Sequence, residues 1–184
     1  MEQLPPAMPE PVSAMPLPDG PLSFVLDEVG AAYGEQNILD GICLDLAPGR
    51  AVAVVGPNGS GKSTLARLLT RVLAPTTGTL LVSGVDATTL SARDVRERLA
   101  IVSQKSHLFM GTLREHFQWS GDPIPDDEID QLLELVRLRS WADSLPDGLQ
   151  TQLGEGGALV SGGEAQRLVL ARALARCDRM LILD

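Results

Sequence analysis

Hydrophobic positions along this chain follow two periods. Ala51-Val52-Ala53-Val54-Val55 has no polar break, which predicts a strand buried on both faces. Ten residues on, Leu65, Leu68, Leu69 and Val72 recur at i, i+3, i+4 and i+7, one face of a helix. Phe24-Val25-Leu26 begins an earlier strand, Tyr33-Gly34 a turn, and Ile38 to Leu46 a second strand closed by Pro48-Gly49. Pro75 to Gly78 reads as a turn, Thr79 to Ser83 as a strand ended by Gly84, and Ile101 to Gln104 as another strand. Ser91 to Leu99 forms a short helix, with Ser91 as its N-cap and Asp94 at the third helical position. Asp126 to Leu138 is amphipathic, with Ile129, Leu132, Leu133 and Val136 on one face. A helix from Ser161 to about Arg176 leads into Met180 to Leu183, a buried apolar strand that ends in Asp184. Strands and helices in this succession indicate an α/β fold carrying a helical insertion.

Composition changes the picture in three places. Residues 1–21 hold seven of the thirteen prolines and no Lys or Arg, so they read as a linker or disordered tail. Between Gly121 and Glu155, nine acids face two arginines, which supplies most of the net charge of −9. That charge argues against a nucleic-acid partner, which leaves a basic footprint. The acids themselves read as a solvated helical face, and those at Asp126, Asp127 and Glu128 favour a helix N-terminus. Cys43 and Cys177 lack metal-ligand spacing and sit in apolar patterns, which predicts buried free thiols in a reducing compartment. No apolar run approaches the ~18 residues of a membrane span, and no signal peptide is visible. The 184 residues suffice for one domain with a sizeable core.

The chemistry centres on Gly56-Pro57-Asn58-Gly59-Ser60-Gly61-Lys62-Ser63-Thr64, the phosphate-loop pattern in its required setting of strand, loop and helix. Gly56, Gly59 and Gly61 allow a tight backbone turn around an anion. Loop N–H groups and the following helix N-terminus then point at phosphates. Lys62 has the reach for the β- and γ-phosphates, and the Ser63 hydroxyl is a ligand for Mg²⁺. Asp184 closes an apolar strand, where such folds place a carboxylate for the same ion. Ser161-Gly162-Gly163-Glu164 at a helix start is either a second anion site or a plain capping turn. Tyr33 reads alone as a strand-end aromatic and Gln104 as polar loop.

Taken together, these residues resemble the ATP-binding cassette family, the nucleotide-binding domains of ABC transporters, over about residues 22–184. Gly56 to Thr64 is similar to Walker A, Ser161 to Ala165 to the signature motif, and Met180 to Asp184 to Walker B. Tyr33 lies where the family stacks an aromatic on adenine, and Gln104 matches the Q-loop glutamine, which senses Mg²⁺ and the attacking water. The resemblance implies a P-loop NTPase core of the ABC ATPase type with an antiparallel β region and a helical subdomain at about 105–176. Its cofactors are then ATP and Mg²⁺, the metal held by Ser63, Gln104 and Asp184, with Lys62 and Gln104 serving catalysis. Ser161, Gly162 and Gly163 would meet ATP held by a second cassette, the same or different, packed head to tail.

Thr151 to Gly157 reads as a flexible loop and resembles the one that touches the transmembrane domain in exporters, and Leu108 to Leu113 is also exporter-like. The Pro-rich start resembles the linker to a membrane domain fused N-terminally. The implied function is ATP-driven transmembrane export from the cytoplasmic face of the cell membrane. Alternatives are a soluble ABC ATPase and a degenerate cassette that binds ATP without turnover. Glu164 replaces the common Gln of the signature, and Ser103 stands where Pro often precedes the Q-loop Gln. The family's catalytic Glu follows the Walker B Asp, and its switch His comes later. The expectation is therefore a partial domain, its C-terminal part missing, without turnover on its own.

Overall fold

Alternation builds the first sheet. In β1 (Phe24–Tyr33), Phe24 and Leu26 point inward and Val25 and Asp27 outward; β2 (Gln36–Leu46) pairs with it antiparallel, Leu46 opposite Phe24 and Leu44 opposite Leu26. The computed structural model describes residues 10–103, 108–118, 123–154, 160–177 and 179–184. After α1 (Lys62–Leu69), β3 (Thr77–Val82) and β4 (Val85–Asp86) complete a four-stranded antiparallel sheet of order β2-β1-β3-β4. Leu65, Leu68 and Leu69 of α1 share one core with Phe24, Leu26, Val29, Leu80 and Val82. α2 (Ala92–Glu97) starts at Ser91, whose hydroxyl accepts the Asp94 N–H at 3.4 Å, as expected. β5 (Leu99–Val102) follows.

Contacts divide the chain into two units. The first holds residues up to Leu99 together with 179–182 and Asp184; the second runs from Ala100 to Cys177 and includes Leu183. In the second, β6 (Gly111–Thr112) leads into α3 (Leu113–Gln118), α4 (Asp126–Leu135) and α5 (Arg139–Asp143). β7 (Gln152–Leu153) pairs antiparallel with β6, and α6 (Gly162–Arg176) packs Leu168 and Ala171 against Leu113, Phe117, Ile129 and Leu133. Thr112 and Glu115 cap α3 reciprocally, at 3.1 and 2.7 Å. β8 (Met180–Leu183) begins where the Arg179 N–H donates to the Arg98 carbonyl at 3.1 Å.

Several expectations are corrected. Residues 51–55 form no strand, and Val55 is 88% exposed. A doubly buried strand needs a hydrogen-bonded neighbour on each side, and among the described residues none pairs with this segment. β8, expected to be buried, is only partly so, with Leu183 at 66% exposure. Val72 lies beyond α1, because Arg71 takes a left-handed conformation (φ 54°) after the Thr70 cap and ends the apolar stripe. α4 stops three residues early for the same reason at Arg137 (φ 57°). Cys43 is exposed, since Ile42 and Leu44 take the inward-leaning positions of β2; Cys177 is half-buried. Thr151 and Leu153 are buried around β7 rather than belonging to a flexible loop, and Glu155 to Gly157 lie outside the described residues.

The Pro-rich start also packs from residue 10 onward. The Met15 N–H donates to the Thr89 carbonyl at 2.8 Å, and Leu17 enters the first core at 5% exposure. The Glu10 carboxylate accepts the Ala92 N–H, and Arg98 donates to the Pro18 carbonyl at 2.9 Å. An extended chain leaves its backbone polar groups free, and here neighbouring loops satisfy several of them.

Candidate nucleotide-binding site

The phosphate loop owes its shape to backbone conformations that side chains disfavour. Gly59 and Gly61 sit in the left-handed region, at φ 81° and 89°. A Cβ on Gly61 would also lie 2.5 Å from Leu39 Cδ2 and 3.3 Å from the Ile38 carbonyl, so β2 presses on the loop at that point. A Cβ on Gly56 would meet Ser60 Oγ at 2.6 Å. The Ser60 N–H closes the turn on the Pro57 carbonyl at 3.3 Å, and the Leu65 N–H begins α1 on the Gly61 carbonyl at 2.9 Å.

Lys62 curls back over this loop. Its Nζ donates to the carbonyls of Gly56 (2.9 Å) and Pro57 (2.7 Å) and lies 3.4 Å from Ser60 Oγ. One turn of chain thus concentrates a cation and the first N–H groups of α1. The N-cap Gly61 has no side chain to accept them. Fixed positive charge beside unpaired donors at a helix start is an anion cradle. Asn58 is exposed at the loop tip, and Thr64 is buried beneath it.

Ser63 Oγ donates to Asp184 Oδ1 at 2.9 Å, joining positions 121 residues apart in sequence. A hydroxyl and a carboxylate at that spacing suit a hard divalent cation. Neighbouring ligands of octahedral Mg²⁺, each at about 2.1 Å, lie about 3 Å from one another. Among the described residues no group of three or more His, Cys, Asp or Glu could hold a metal alone. Mg²⁺ characteristically takes one or two protein ligands and completes its shell with phosphates and water.

Tyr33, half-buried at the end of β1, receives a hydrogen bond on its hydroxyl from the Arg67 guanidinium at 2.9 Å. Arg67 was not among the residues singled out from sequence. An arginine in a last helical turn reads as a complement to the helix dipole, and nothing in the spacing ties it to a tyrosine 34 positions earlier. Gln104 lies outside the described residues.

Ser161, Gly162 and Gly163 belong to the second unit. Ser161 is the N-cap of α6 in a complete capping box: its hydroxyl accepts the Glu164 N–H at 3.3 Å, and the Glu164 carboxylate accepts the Ser161 N–H at 2.8 Å. Hydrogen bonding from Ser161, side chain foremost, holds the Glu164 carboxyl below its usual range. The capping turn open in the sequence is thus present at the start of α6. The glycines are another matter. A Cβ on Gly162 would meet nothing within 4 Å, and one on Gly163 only Arg167 at 3.6 Å.

Comparison with known proteins agrees with this arrangement. The ABC transporter family model matches residues 39–184. The chain is 42% identical over 163 residues to the mycobactin import ATP-binding/permease protein IrtB of Mycolicibacterium thermoresistibile, covering 88% of this chain and 28% of that protein. It is 41% identical over 174 residues to the ATP-dependent lipid A-core flippase of Chromobacterium violaceum, covering 94% of this chain and 30% of that one. A solved bacterial Atm1-family ABC exporter with ATP bound superposes at a TM-score of 0.89 and 34% identity, over 97% of this chain and 31% of that chain. The chain spans about three-tenths of the length of these relatives. A match over most of its residues, with the phosphate loop and Asp184 side by side, makes this chain a member of the ABC transporter family.

Proposed function

We propose that this chain is an ATP-binding cassette that powers transmembrane export by binding and hydrolysing ATP, working as a head-to-tail pair at the cytoplasmic face of the cell membrane. The observation that carries the nucleotide part is the 2.9 Å contact of Ser63 with Asp184 beside the Lys62 loop. In this reading the backbone of Gly56 to Thr64 cradles the phosphates and Lys62 exchanges its loop carbonyls for β- and γ-phosphate oxygens. Tyr33 stacks on adenine. Ser63, Asp184 and Gln104 would hold Mg²⁺, which supplies neutralisation of phosphate charge. Lys62 and Gln104 act at the reacting end of the nucleotide, Lys62 by stabilising charge on the phosphates and Gln104 by orienting water.

The pairing rests on α6. Glycine costs helix stability, and nothing among the described residues requires it at 162 or 163. Bare backbone there leaves room for close approach by phosphates held on another cassette, with Ser161 beside them. ATP would then be shared between two helix N-termini and hold the pair together. A membrane domain as partner, fused N-terminally, is supported by the relatives named as ATP-binding/permease proteins. Export rests on the likeness to the Atm1-family exporter.

Asp184→Asn tests the site. It should weaken Mg-ATP binding several-fold in calorimetry while leaving metal-free ATP little changed. Equal affinity of both proteins for Mg-ATP would remove Asp184 from the site. Sedimentation tests the pairing: ATP-dependent dimers should form with wild type and fail with Ser161→Arg. Normal dimers in that variant would contradict the head-to-tail arrangement.

A further inference from the structure

Arg67 is exposed on α1, and its guanidinium donates to the Tyr33 hydroxyl rather than to a carboxylate. The chain offers 24 acidic residues, yet among the described residues none forms an ion pair with Arg67. The bond spans two elements. Tyr33 ends β1, where the register with β2 slips between Ala31 and Ala32 and the chain turns at Gly34 (φ 59°). The Tyr33 ring packs one side against the first core, and the Arg67 guanidinium fixes its hydroxyl end. Arg67 sits five residues beyond Lys62 on one continuous helix, a rise of about 7.5 Å. The helix that carries the phosphate-binding lysine therefore also grips the hydroxyl of the aromatic ring. The hairpin meets the loop a second time, where Ile38 and Leu39 crowd Gly61.

We infer that Arg67 is a positioning residue for nucleotide recognition: it anchors the Tyr33 ring to α1, so that the base platform and the phosphate cradle keep a fixed spacing. This rests on the reading of Tyr33 as the adenine platform. Arg67 touches the ring only through its hydroxyl and need not touch the nucleotide. Two consequences separate this from a structural or purely electrostatic role. Removing either end of the bond should have the same effect, and the effect should be confined to ligands that carry a base.

The test is a set of calorimetric titrations of Mg-ATP and Mg-tripolyphosphate into the full chain. The proteins are wild type, Arg67→Ala, Arg67→Lys, Tyr33→Phe, Tyr33→Ala and the Arg67→Ala/Tyr33→Phe double variant. Arg67→Ala and Tyr33→Phe should each weaken ATP about fivefold, the double variant no further, and tripolyphosphate should bind all of them alike. Arg67→Lys, which keeps a donor, should recover most of the ATP affinity. Tyr33 is the single tyrosine of the chain, so a ¹³C-tyrosine label gives one ring signal, which Arg67→Ala should shift in the free protein. Equal loss of both ligands in Arg67→Ala, or independent addition in the double variant, overturns the inference. If Arg67→Ala fails to fold, Tyr33→Phe decides, because losing one hydroxyl preserves the core and the ring. Tyr33→Ala binding ATP normally overturns the adenine reading and this inference with it. Tyr33→Ala binding weakly while Arg67→Ala and Tyr33→Phe bind normally overturns the inference alone.

Discussion

Two helices here begin among glycines, and they treat their first N–H groups in opposite ways. Every helix starts with donors that its own turns leave unpaired. α6 answers with side chains: Ser161 and Glu164 cap each other across its first turn. α1 has no such acceptor at Gly61, and its first side chain, Lys62, adds positive charge instead. The glycines differ as well. Gly61 is required from within, by φ 89° and by Leu39 at 2.5 Å, while among the described residues nothing crowds Gly162. One helix start leaves its donors uncapped beside a lysine, the arrangement the proposed function assigns to phosphate. The other is capped within its own chain, and in the proposed pairing its bare backbone would admit phosphates held on a second cassette.

The largest expected effect that would break this contrast is on stability. Gly61→Ala places a side chain in the left-handed region, at about 1–2 kcal/mol, before the clash with Leu39 is counted. Gly162→Ala should instead be neutral or stabilising by up to about 1 kcal/mol, because the helix gains and nothing is displaced. Thermal melts of the two variants check this. Equal destabilisation would mean that both glycines are structural.

Next in size is an acid dependence lodged in the unit that holds α6. His116 is buried, stacked at 4.0 Å on Phe109, whose ring lies 5.2 Å from the Arg172 guanidinium of α6. Burial first, and the Arg172 charge second, push its pKa down from 6.5 to about 4, against smaller opposing effects from the Phe109 backbone and then Glu115. The unfolded chain therefore takes up a proton that the folded chain refuses. Stability contributed by His116 is intact above about pH 6.5 and declines as pH falls toward 4. Urea melts across that window should show the decline in wild type and a shallower one in His116→Leu.

Smallest is the cap. Ser161→Ala should cost about 1 kcal/mol, by loss of the hydroxyl that accepts the Glu164 N–H. A melt unchanged within error would show that the capping box contributes nothing and would weaken the contrast with α1.

Legibility followed how local the causes are. The phosphate loop could be read because its turn, lysine and helix lie within nine consecutive residues, and the Ser161–Glu164 box because its spacing is three. Helix ends at Thr70 and Val136 could not, since single left-handed residues at Arg71 and Arg137 set them without a glycine to announce it. Apolar content at 51–55 implied burial but says nothing of which strands pair with it, and pairing decides burial. Cys43 fell on the wrong side of a strand because one step in the alternation reverses every face. Arg67 was invisible because its partner is far away in sequence and the bond joins two residue types with no motif between them.

The most direct measurement is a calorimetric titration of Mg-ATP into wild type, Lys62→Ala and Ser161→Ala. Lys62→Ala should lose at least about tenfold in affinity, because a charge-assisted contact is gone. Ser161→Ala, whose cap serves α6 alone, should bind a single nucleotide as wild type does. The opposite pattern, with Ser161→Ala impaired and Lys62→Ala unchanged, would contradict the assignment of the nucleotide to the start of α1.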